Sequence, residues 1–355
     1  MARLAFVLGL LMVAGALLTL SLLGLASERA AMTPSGPRNS ATRLAGRKNS
    51  NTHRLRLNLQ ELKHWTLNPA AVQHQRTELA SFVDVSAELS LTRSTLLPGQ
   101  LLHFDYSPQH YVFVVSAALH SLLPISPPFH GRHFNSCAVV GNGGVLTGSG
   151  CGQRIDTADF VIRCNFAPTT GYVHDVGNRT SLTTFNPSIV DGRYGGLLTA
   201  DDRERFLNRL QELDGAVLWI PAFLFHTSAV ITRTLVDFFL ENKSRLGVQL
   251  AWPGPLVAHI TRFWRTRALA PKRLSTGMLM YSIASALCDE ISLYGFWPFA
   301  WEPISGRPLP YHYYARRGAR FTTAWQEAHQ LPGEFRLFQQ LHGQGALRLH
   351  LGSCT

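Results

Sequence analysis

From residue 138 onward, short apolar runs alternate with segments of helical pattern, and this rhythm strongly constrains the fold. Apolar runs occupy 138–140, 160–163, 181–185, 216–220 and 248–252, with helical patterns at 202–213, 232–245 and 255–267. The remaining chain predicts a helix over 276–289, a strand over 291–294, a helix over 334–342 and a last strand over 347–351. Such alternation predicts one α/β domain with a mainly parallel central sheet and helices on both faces.

Small and polar residues follow two of the predicted strands. The run 138–140 leads into Gly141-Asn142-Gly143-Gly144, and the run 160–162 ends at Arg163-Cys164-Asn165. In an open α/β sheet, ligands bind at the carboxyl ends of the strands. Glycine lets a backbone approach a ligand closely, and Asn both donates and accepts hydrogen bonds. These residues therefore predict a binding site at one edge of the sheet.

The glycines match neither common nucleotide-binding motif. Leu146 stands where a dinucleotide fingerprint needs its third glycine, and Ser149-Gly150 stands where a phosphate loop needs Lys followed by Ser or Thr. A purely structural glycine turn is the alternative to a ligand loop.

Charge and cysteine usage narrow the classes of partner. The net charge of +11 over 355 residues predicts anionic partners, but no zinc-finger, RNA-recognition or helix-turn-helix pattern supports nucleic acid. The five cysteines contain no C-x-x-C pair, so metal-ligand spacing is absent. Their odd number fits two disulfides and one free thiol in an oxidising compartment, with the connectivity left open by spacing alone.

The N-terminal region predicts a membrane anchor. Residues 4–26 carry no charge, and as a helix they would reach roughly 34 Å, enough to cross a hydrocarbon core of about 30 Å. We expect residues 1–3 to be a cytosolic tail, 4–26 a transmembrane signal anchor, 27–100 a stem and N-terminal extension, and 101–355 a luminal catalytic domain. A cleaved signal peptide is the alternative. The glycosylation sequons at Asn178 and Asn242 agree with a luminal location.

Two later stretches, 275–277 and 296–297, contain residues that could belong to a binding site. Ser275-Thr276-Gly277 precedes a predicted helix, where a serine can cap the helix and free N–H groups can bind an anion. Phe296 and Trp297 follow the next predicted strand, and by spacing alone core aromatics are the favoured interpretation.

Two histidines lie in polar stretches near the C-terminus. His312 belongs to the aromatic cluster Tyr311-His-Tyr-Tyr314, and His329 lies shortly before Glu334. Pro332 disfavours a helix that carries both His329 and Glu334 on one zinc-binding face. A neutral imidazole with a pKa near 6.5 is suited to removing a hydroxyl proton.

Together these stretches resemble the four sialylmotifs of the sialyltransferases, most closely those of the type III branch of the α-2,8-sialyltransferases. Residues 137–188 resemble the large motif, including the spacing of Cys137, Cys151 and Cys164. Residues 275–299 contain segments similar to the small motif, 311–314 resemble the third motif, and 329–334 the very small motif. Residues 225–228 and 248–253 support the branch. Ala315 departs from the family, whose members commonly have an acidic residue there.

The resemblance implies the fold, the disulfides and the site residues. It implies a single GT-A-like domain in the sialyltransferase variant, disulfides Cys137–Cys288 and Cys151–Cys354, and a free Cys164. It implies His329 as the catalytic base and His312 as a contact of the donor phosphate. The donor CMP-sialic acid would be bound by Asn142, Asn165, Ser275, Thr276, Gly277, Trp297 and Tyr311.

The expected reaction is inverting transfer of sialic acid from CMP-sialic acid to the 8-hydroxyl of a terminal sialic acid on glycoproteins or gangliosides. No Asp-x-Asp triplet occurs, so we expect no metal and no other cofactor. We expect a single-pass type II protein of the Golgi membrane, and a homodimer is left open. The rival functions are an α-2,3- or α-2,6-sialyltransferase and a catalytically silent, membrane-anchored glycan-binding protein.

A basic segment before the small motif is the candidate acceptor path. It contains Arg265, Arg267, Lys272 and Arg273, and the corresponding segment is associated with chain elongation in the α-2,8 branch. Each added sialic acid brings a carboxylate that an arginine can bind. The alternative is a solvated helix face.

Overall fold

The computed structural model describes residues 65–316 and 318–354, which form one compact unit. Its strands are β1 (Leu101–His103), β2 (Val112–Val114), β3 (Phe134–Val140), β4 (Phe160–Arg163), β5 (Leu182–Thr184), β6 (Val217–Trp219), β7 (Gln249–Ala251), β8 (Cys288–Tyr294) and β9 (Arg348–His350). Its first helices are α1 (Pro69–Ala80), α2 (Val85–Glu88), α3 (Ala117–Leu122), α4 (Gly152–Asp156), α5 (Val173–Val176) and α6 (Ser188–Tyr194). They are followed by α7 (Ala200–Gln211), α8 (Ala229–Glu241), α9 (Leu256–Arg265), α10 (Thr276–Leu287) and α11 (Leu331–Gly343). Short 3-10 turns occur at Gly144–Leu146, Gly195–Leu197, His226–Ser228, Lys243–Arg245 and Ala324–Glu327.

Seven strands of the described chain form a sheet in the order β7-β6-β5-β4-β3-β8-β9, and every neighbouring pair is parallel. This confirms the predicted α/β class and the parallel sheet. From β3 the chain moves outward through β4, β5 and β6 to β7, and then returns to place β8 on the other side of β3. The strand order thus changes direction at β3 and β8, and the crevice beyond their carboxyl ends is where such sheets bind ligands. A separate antiparallel pair is formed by β1 and β2.

Burial explains why the predicted strands read as continuous apolar runs. All four residues of β4 and the last four of β3 are buried, as in parallel strands covered on both sides. The predicted helix over 276–289 ends earlier, at Leu287, because Cys288 is already extended (φ −132°, ψ 146°) and begins β8. Strand β8 pairs with β3, so hydrogen bonding to the sheet replaces the last helical turn.

Two disulfides fasten the chain around the central strands. Cys137–Cys288 joins β3 to β8, and Cys151–Cys354 joins the residue before α4 to the C-terminal tail. These are the pairs implied by the resemblance. Cys164 is a free, buried thiol, and burial raises its pKa to about 12. At neutral pH it is therefore a neutral thiol rather than a nucleophilic thiolate.

Helix α1 lies against the end of α10 and the start of β8. The guanidinium of Arg76 donates hydrogen bonds to the carbonyls of Ser285 (3.3 Å) and Cys288 (2.7 Å) and pairs with Asp289. Residues well before position 100 therefore pack on the parallel sheet and its helices. The predicted anchor, 4–26, lies outside the described residues. Within residues 65–316 and 318–354, no helix has the length and apolar character needed to cross a membrane.

Candidate active site

Loops from three parts of the chain meet at the carboxyl edge of β3 and β8. The amide of Gly143 donates to the carbonyl of Gly295 (3.1 Å), and the amide of Gly144 donates to the carbonyl of Tyr311 (3.2 Å). The carbonyl of Asn142 accepts from the amide of Tyr313 (3.0 Å). The loop after β3 is thereby hydrogen-bonded to the loop after β8 and to the loop that carries His312.

The glycines of this loop are required by the protein's own packing. A Cβ on Gly143 would lie 2.5 Å from the carbonyl oxygen of Gly295, and one on Gly144 only 2.0 Å from that of Pro310. Both obstacles are backbone atoms, which cannot move aside as a flexible side chain could. The structural alternative therefore accounts for Gly143 and Gly144, even though their loop also lines a cleft.

A cleft of ≈170 Å³ opens at this edge and brings every predicted donor-site residue together. Its lining includes Asn142, Asn165, Ser275, Thr276, Gly277, Trp297, Tyr311, His312 and His329. The first two follow β3 and β4, the next three begin α10, and Trp297 follows β8. We call this the first cleft.

Of the two asparagines, Asn142 leaves a polar group available to a ligand, whereas the side-chain oxygen of Asn165 already accepts hydrogen bonds from Thr184 and Thr276. The amide nitrogen of Asn142 donates to the carbonyl of Cys164 (3.0 Å), but its oxygen is buried and has no hydrogen-bond partner among the described residues. Asn165 has a left-handed backbone (φ 56°), and its side-chain oxygen accepts from Thr276 (3.3 Å). A buried acceptor without a partner costs about 1–3 kcal/mol, which a ligand donor at Asn142 would offset.

Ser275 and Trp297 lie at the first cleft, but their polar groups already have partners. The Ser275 hydroxyl accepts from the amide of Met278 (3.1 Å) as the cap of α10 and donates to the carboxylate of Glu334. The indole N–H of Trp297 donates to the carbonyl of Trp301 (2.6 Å). Their contribution to ligand binding would therefore be shape and apolar contact.

Glu334 joins the start of α11 to the start of α10. Besides the Ser275 hydroxyl, its carboxylate accepts from the Ser275 amide (2.9 Å). Burial raises the pKa of Glu334, and the hydrogen bonds from Ser275 oppose that rise. The sequence pattern paired Glu334 with His329 in one motif, but it did not show that Ser275 is its partner.

His329 has a defined tautomer. Its Nδ1 lies 2.9 Å from the carbonyl oxygen of Arg273. Because a carbonyl can only accept, Nδ1 carries the proton, and Nε2 of the neutral ring is the basic nitrogen. Burial lowers the pKa of His329, which favours the neutral ring.

His312 is also held neutral. Burial, with a smaller effect from the positive charge of Arg193, lowers the pKa of His312 to about 4. Its ring stacks on Tyr314 with centroids 4.9 Å apart. In the unliganded protein near neutral pH, His312 would meet an anion as an N–H donor and not as a cation.

A second cleft of ≈290 Å³ shares four lining residues with the first: Asn165, Thr276, His312 and His329. It also contains Tyr106, Asn186, Ser188, Arg193, Arg273 and Tyr314. Among the described residues that line it, two are arginines and none is a carboxylic acid. The two clefts thus meet at both histidines, and the second is suited to an anionic, hydroxyl-rich ligand.

Sequence reasoning missed most of this second cleft. Of the predicted acceptor residues, Arg273 lines it, whereas Arg267 pairs with Glu78 elsewhere and Arg265 and Lys272 are exposed outside it. Arg193 had no motif to mark it. Its available signal was its position in the helix that follows β5, whose carboxyl end lies on the ligand-binding edge.

The asparagines of the two sequons differ in exposure. Asn178 is exposed, and its side-chain oxygen accepts from Thr169 (3.2 Å). Asn242 is half-buried and its amide donates to the carbonyl of Phe238 (2.9 Å). Across the described ranges, no group of three or more His, Cys, Asp or Glu side chains is arranged to hold a metal ion.

Comparison with known proteins adds independent findings. The profile of glycosyltransferase family 29 (sialyltransferase) matches residues 89–346. The mouse protein named alpha-2,8-sialyltransferase 8F is 34% identical over 291 residues, which cover 82% of this chain and 71% of that protein.

Two solved structures are similar over 85% of this chain, each with a TM-score of 0.42. One is described as a mammalian sialyltransferase in complex with Gal-beta-1-3GalNAc-ortho-nitrophenol, with 21% identity over 86% of its own chain. The other is described as a mammalian sialyltransferase, with 23% identity over 85% of its own chain.

Proposed function

Because the chain belongs to glycosyltransferase family 29, the sialyltransferases, we propose that it transfers sialic acid from CMP-sialic acid to the 8-hydroxyl of a terminal sialic acid. The observation that carries this proposal is the position of His329. The Nδ1–H of His329 donates to the backbone carbonyl of Arg273, and His329 lines both clefts. A base at that junction would act between a donor in one cleft and an acceptor in the other.

The proposed reaction is a single displacement with inversion. Nε2 of His329 takes the proton of the acceptor hydroxyl, and the oxygen forms a bond to the anomeric carbon of the donor sugar. The bond from that carbon to the phosphate oxygen breaks, and its electron pair leaves with CMP. The transition state has oxocarbenium character, as in glycoside hydrolysis.

The first cleft is the proposed donor site. Asn142 and Asn165 would hold the cytidine monophosphate, Asn142 through its unpartnered side-chain oxygen, while Tyr311 and Trp297 would shape the cleft. The departing phosphate would accept an N–H bond from His312 and bonds from the Thr276–Gly277 backbone at the start of α10. We propose that no metal takes part, on the basis of the missing Asp-x-Asp triplet.

The second cleft is the proposed acceptor site. Two arginines and no carboxylic acid among its described lining residues favour a sialylated acceptor over a neutral galactose end. This feature ranks α-2,8 transfer above α-2,3 or α-2,6 transfer. The mouse relative is named for α-2,8 transfer, which supports the same ranking. Glycoproteins and gangliosides both offer such an acceptor, and exposed Arg265 and Lys272 are proposed to contact longer sialylated chains.

We propose the domain layout predicted above: a signal anchor at 4–26, a stem and extension to residue 100, and a luminal catalytic domain in the Golgi. The two disulfides support an oxidising lumen.

The test of the proposed chemistry is CMP release from CMP-sialic acid in the presence of a sialylated glycan. We expect His329→Ala to lower kcat at least about 100-fold, the typical contribution of a general base, with little change in donor KM. His130→Ala, which replaces an exposed histidine outside both clefts, is the matched control. The proposal fails if His329→Ala keeps the wild-type rate, or if EDTA abolishes activity and manganese restores it.

A further inference from the structure

The second cleft holds a cation that no acid of the described chain neutralises by an ion pair. Arg193 lies near the end of α6, with Nη2 3.4 Å from the hydroxyl of Tyr314 and Cζ 5.3 Å from the Tyr314 ring centre. The arginines of the next helix, Arg203, Arg205 and Arg209, each pair with an acidic side chain. Arg193 is exposed, lines the cleft, and contacts a tyrosine instead.

Arg193 is also close to the proposed reaction centre. Tyr314, which it contacts, stacks on the His312 ring, with an angle of 20° between the planes. His312 and His329 both line the two clefts. A ligand group held at Arg193 would therefore belong to a molecule lying in the second cleft beside the histidines. The residue after Tyr314 is Ala315, which brings no negative charge to this place.

Arg273, the other arginine that lines the second cleft, contacts His329 and Phe225. The carbonyl of Arg273 holds Nδ1 of His329, and its guanidinium lies 5.7 Å from the ring centre of Phe225. The positive charge of Arg273 also lowers the pKa of His329, so replacing Arg273 would change the histidine as well as the cleft. The described contacts of the Arg193 side chain are to Tyr314 and not to His329, so Arg193 is the better position to substitute.

We propose that Arg193 recognises the carboxylate of the acceptor's terminal sialic acid and so selects sialylated acceptors; this inference rests on the proposed function. A guanidinium presents two parallel N–H donors that match a carboxylate, and a neutral sugar offers no such partner. Ser188, the first residue of the same helix, and Asn186, just before it, line the cleft and provide polar groups for sugar hydroxyls. Arg193 acts in binding and takes no part in the proton transfer.

The test compares two acceptors that differ only in this carboxylate: a sialylated glycan and its neutral carboxyl methylamide. We expect the wild-type full-length protein to prefer the free acid by about tenfold or more in kcat/KM, the range for a hydrogen bond to a charged group. Arg193→Gln should remove most of that preference by raising the acceptor KM, while the donor KM stays the same. Arg193→Lys keeps the positive charge but lacks the two parallel N–H donors of arginine, so it should retain part of the preference for the free acid.

Arg132→Gln is the matched control. Arg132 is exposed before β3, at the opposite end of the strand from the clefts, and its loss removes one positive charge. It should leave the preference unchanged. The inference is overturned if Arg193→Gln keeps the wild-type preference, or if it raises the donor KM instead. A wild-type protein that ignores both sialylated acceptors but extends the desialylated glycan would overturn the proposed function itself.

Discussion

At the scale of single residues, the proposed chemistry depends on the protonation states of two histidines, which burial and one carbonyl group determine. The carbonyl of Arg273 assigns the proton of His329 to Nδ1, and burial keeps both His329 and His312 neutral. The sequence motifs could indicate both histidines as candidates. They could not indicate the tautomer, because the partner of Nδ1 is a backbone atom 56 residues earlier in the chain.

The lowered pKa of His329 predicts the pH dependence of the reaction. A base works when neutral, so activity is present above its pKa and is lost as the pH falls through it. Because burial moves that pKa below the ordinary 6.5, the acid limb of kcat/KM for the acceptor should lie below pH 6.5. A steady-state pH profile checks this, and an acid limb centred above 6.5 would contradict it.

Stability must be followed in the same experiment. The pKa of His312 is about 4 in the folded protein and near 6.5 in an unfolded chain. Between these values the unfolded chain binds a proton that the folded protein does not, so the free energy of unfolding falls as the pH drops from 6.5 toward 4. Thermal denaturation at each pH separates this loss from protonation of His329.

At the scale of secondary-structure elements, the starts of α10 and α11 are joined by Ser275 and Glu334. Ser275 caps α10 and also donates to the buried Glu334 carboxylate, which lies on α11. His329 lies just before α11, so this link fixes the position of the proposed base relative to the start of α10. Local sequence preference predicted the cap, but the contact between residues 59 apart depends on the folded arrangement.

Ser275→Ala should therefore lower the stability of the protein by more than the loss of a helix cap alone. We expect the free energy of unfolding to fall by about 2–4 kcal/mol, because the cap is lost and the buried Glu334 carboxylate keeps the amide donor of residue 275 but loses its hydroxyl donor. We expect kcat/KM to fall with it. Ser116 caps α3 through the amide of Leu119 (3.1 Å) and has no Glu partner, so Ser116→Ala should cost about 1 kcal/mol. Equal losses of stability in urea titrations, with unchanged activity in both variants, would show that the Glu334 link has no such role.

The strands of the seven-stranded sheet were predictable because they are buried and therefore largely apolar, whereas β1, β2 and the short helices α3–α6 were not predicted. Each predicted run from 138 to 351 overlaps an observed strand or helix. The ligand-binding edge also follows from pattern, since Asn142, Asn165 and Trp297 each come after a strand. The second cleft does not, because Tyr106, Arg193 and Tyr314 come from distant loops and helices whose proximity no local pattern encodes.

At the scale of the whole molecule, the strand order explains why the candidate site combines the loop after β3 with segments near the C-terminus. The strand β8 returns to the side of β3, and the last segments of the chain bring His312 and His329 to the loop after β3. The disulfides Cys137–Cys288 and Cys151–Cys354 join the same early and late parts. The loop after β3 thus lies in the proposed donor site, and the proposed base comes from far later in the chain.

The most direct test of the central claim is product analysis with isotopically labelled CMP-sialic acid and one glycan in two forms, sialylated and desialylated. Mass and linkage analysis should show one or more labelled sialic acids on the sialylated form, joined through the 8-hydroxyl of its terminal sialic acid. The desialylated form should remain unmodified, and CMP release should match the transferred sugar. Labelled sialic acid joined to galactose of the desialylated form, with none on the sialylated form, would contradict the account.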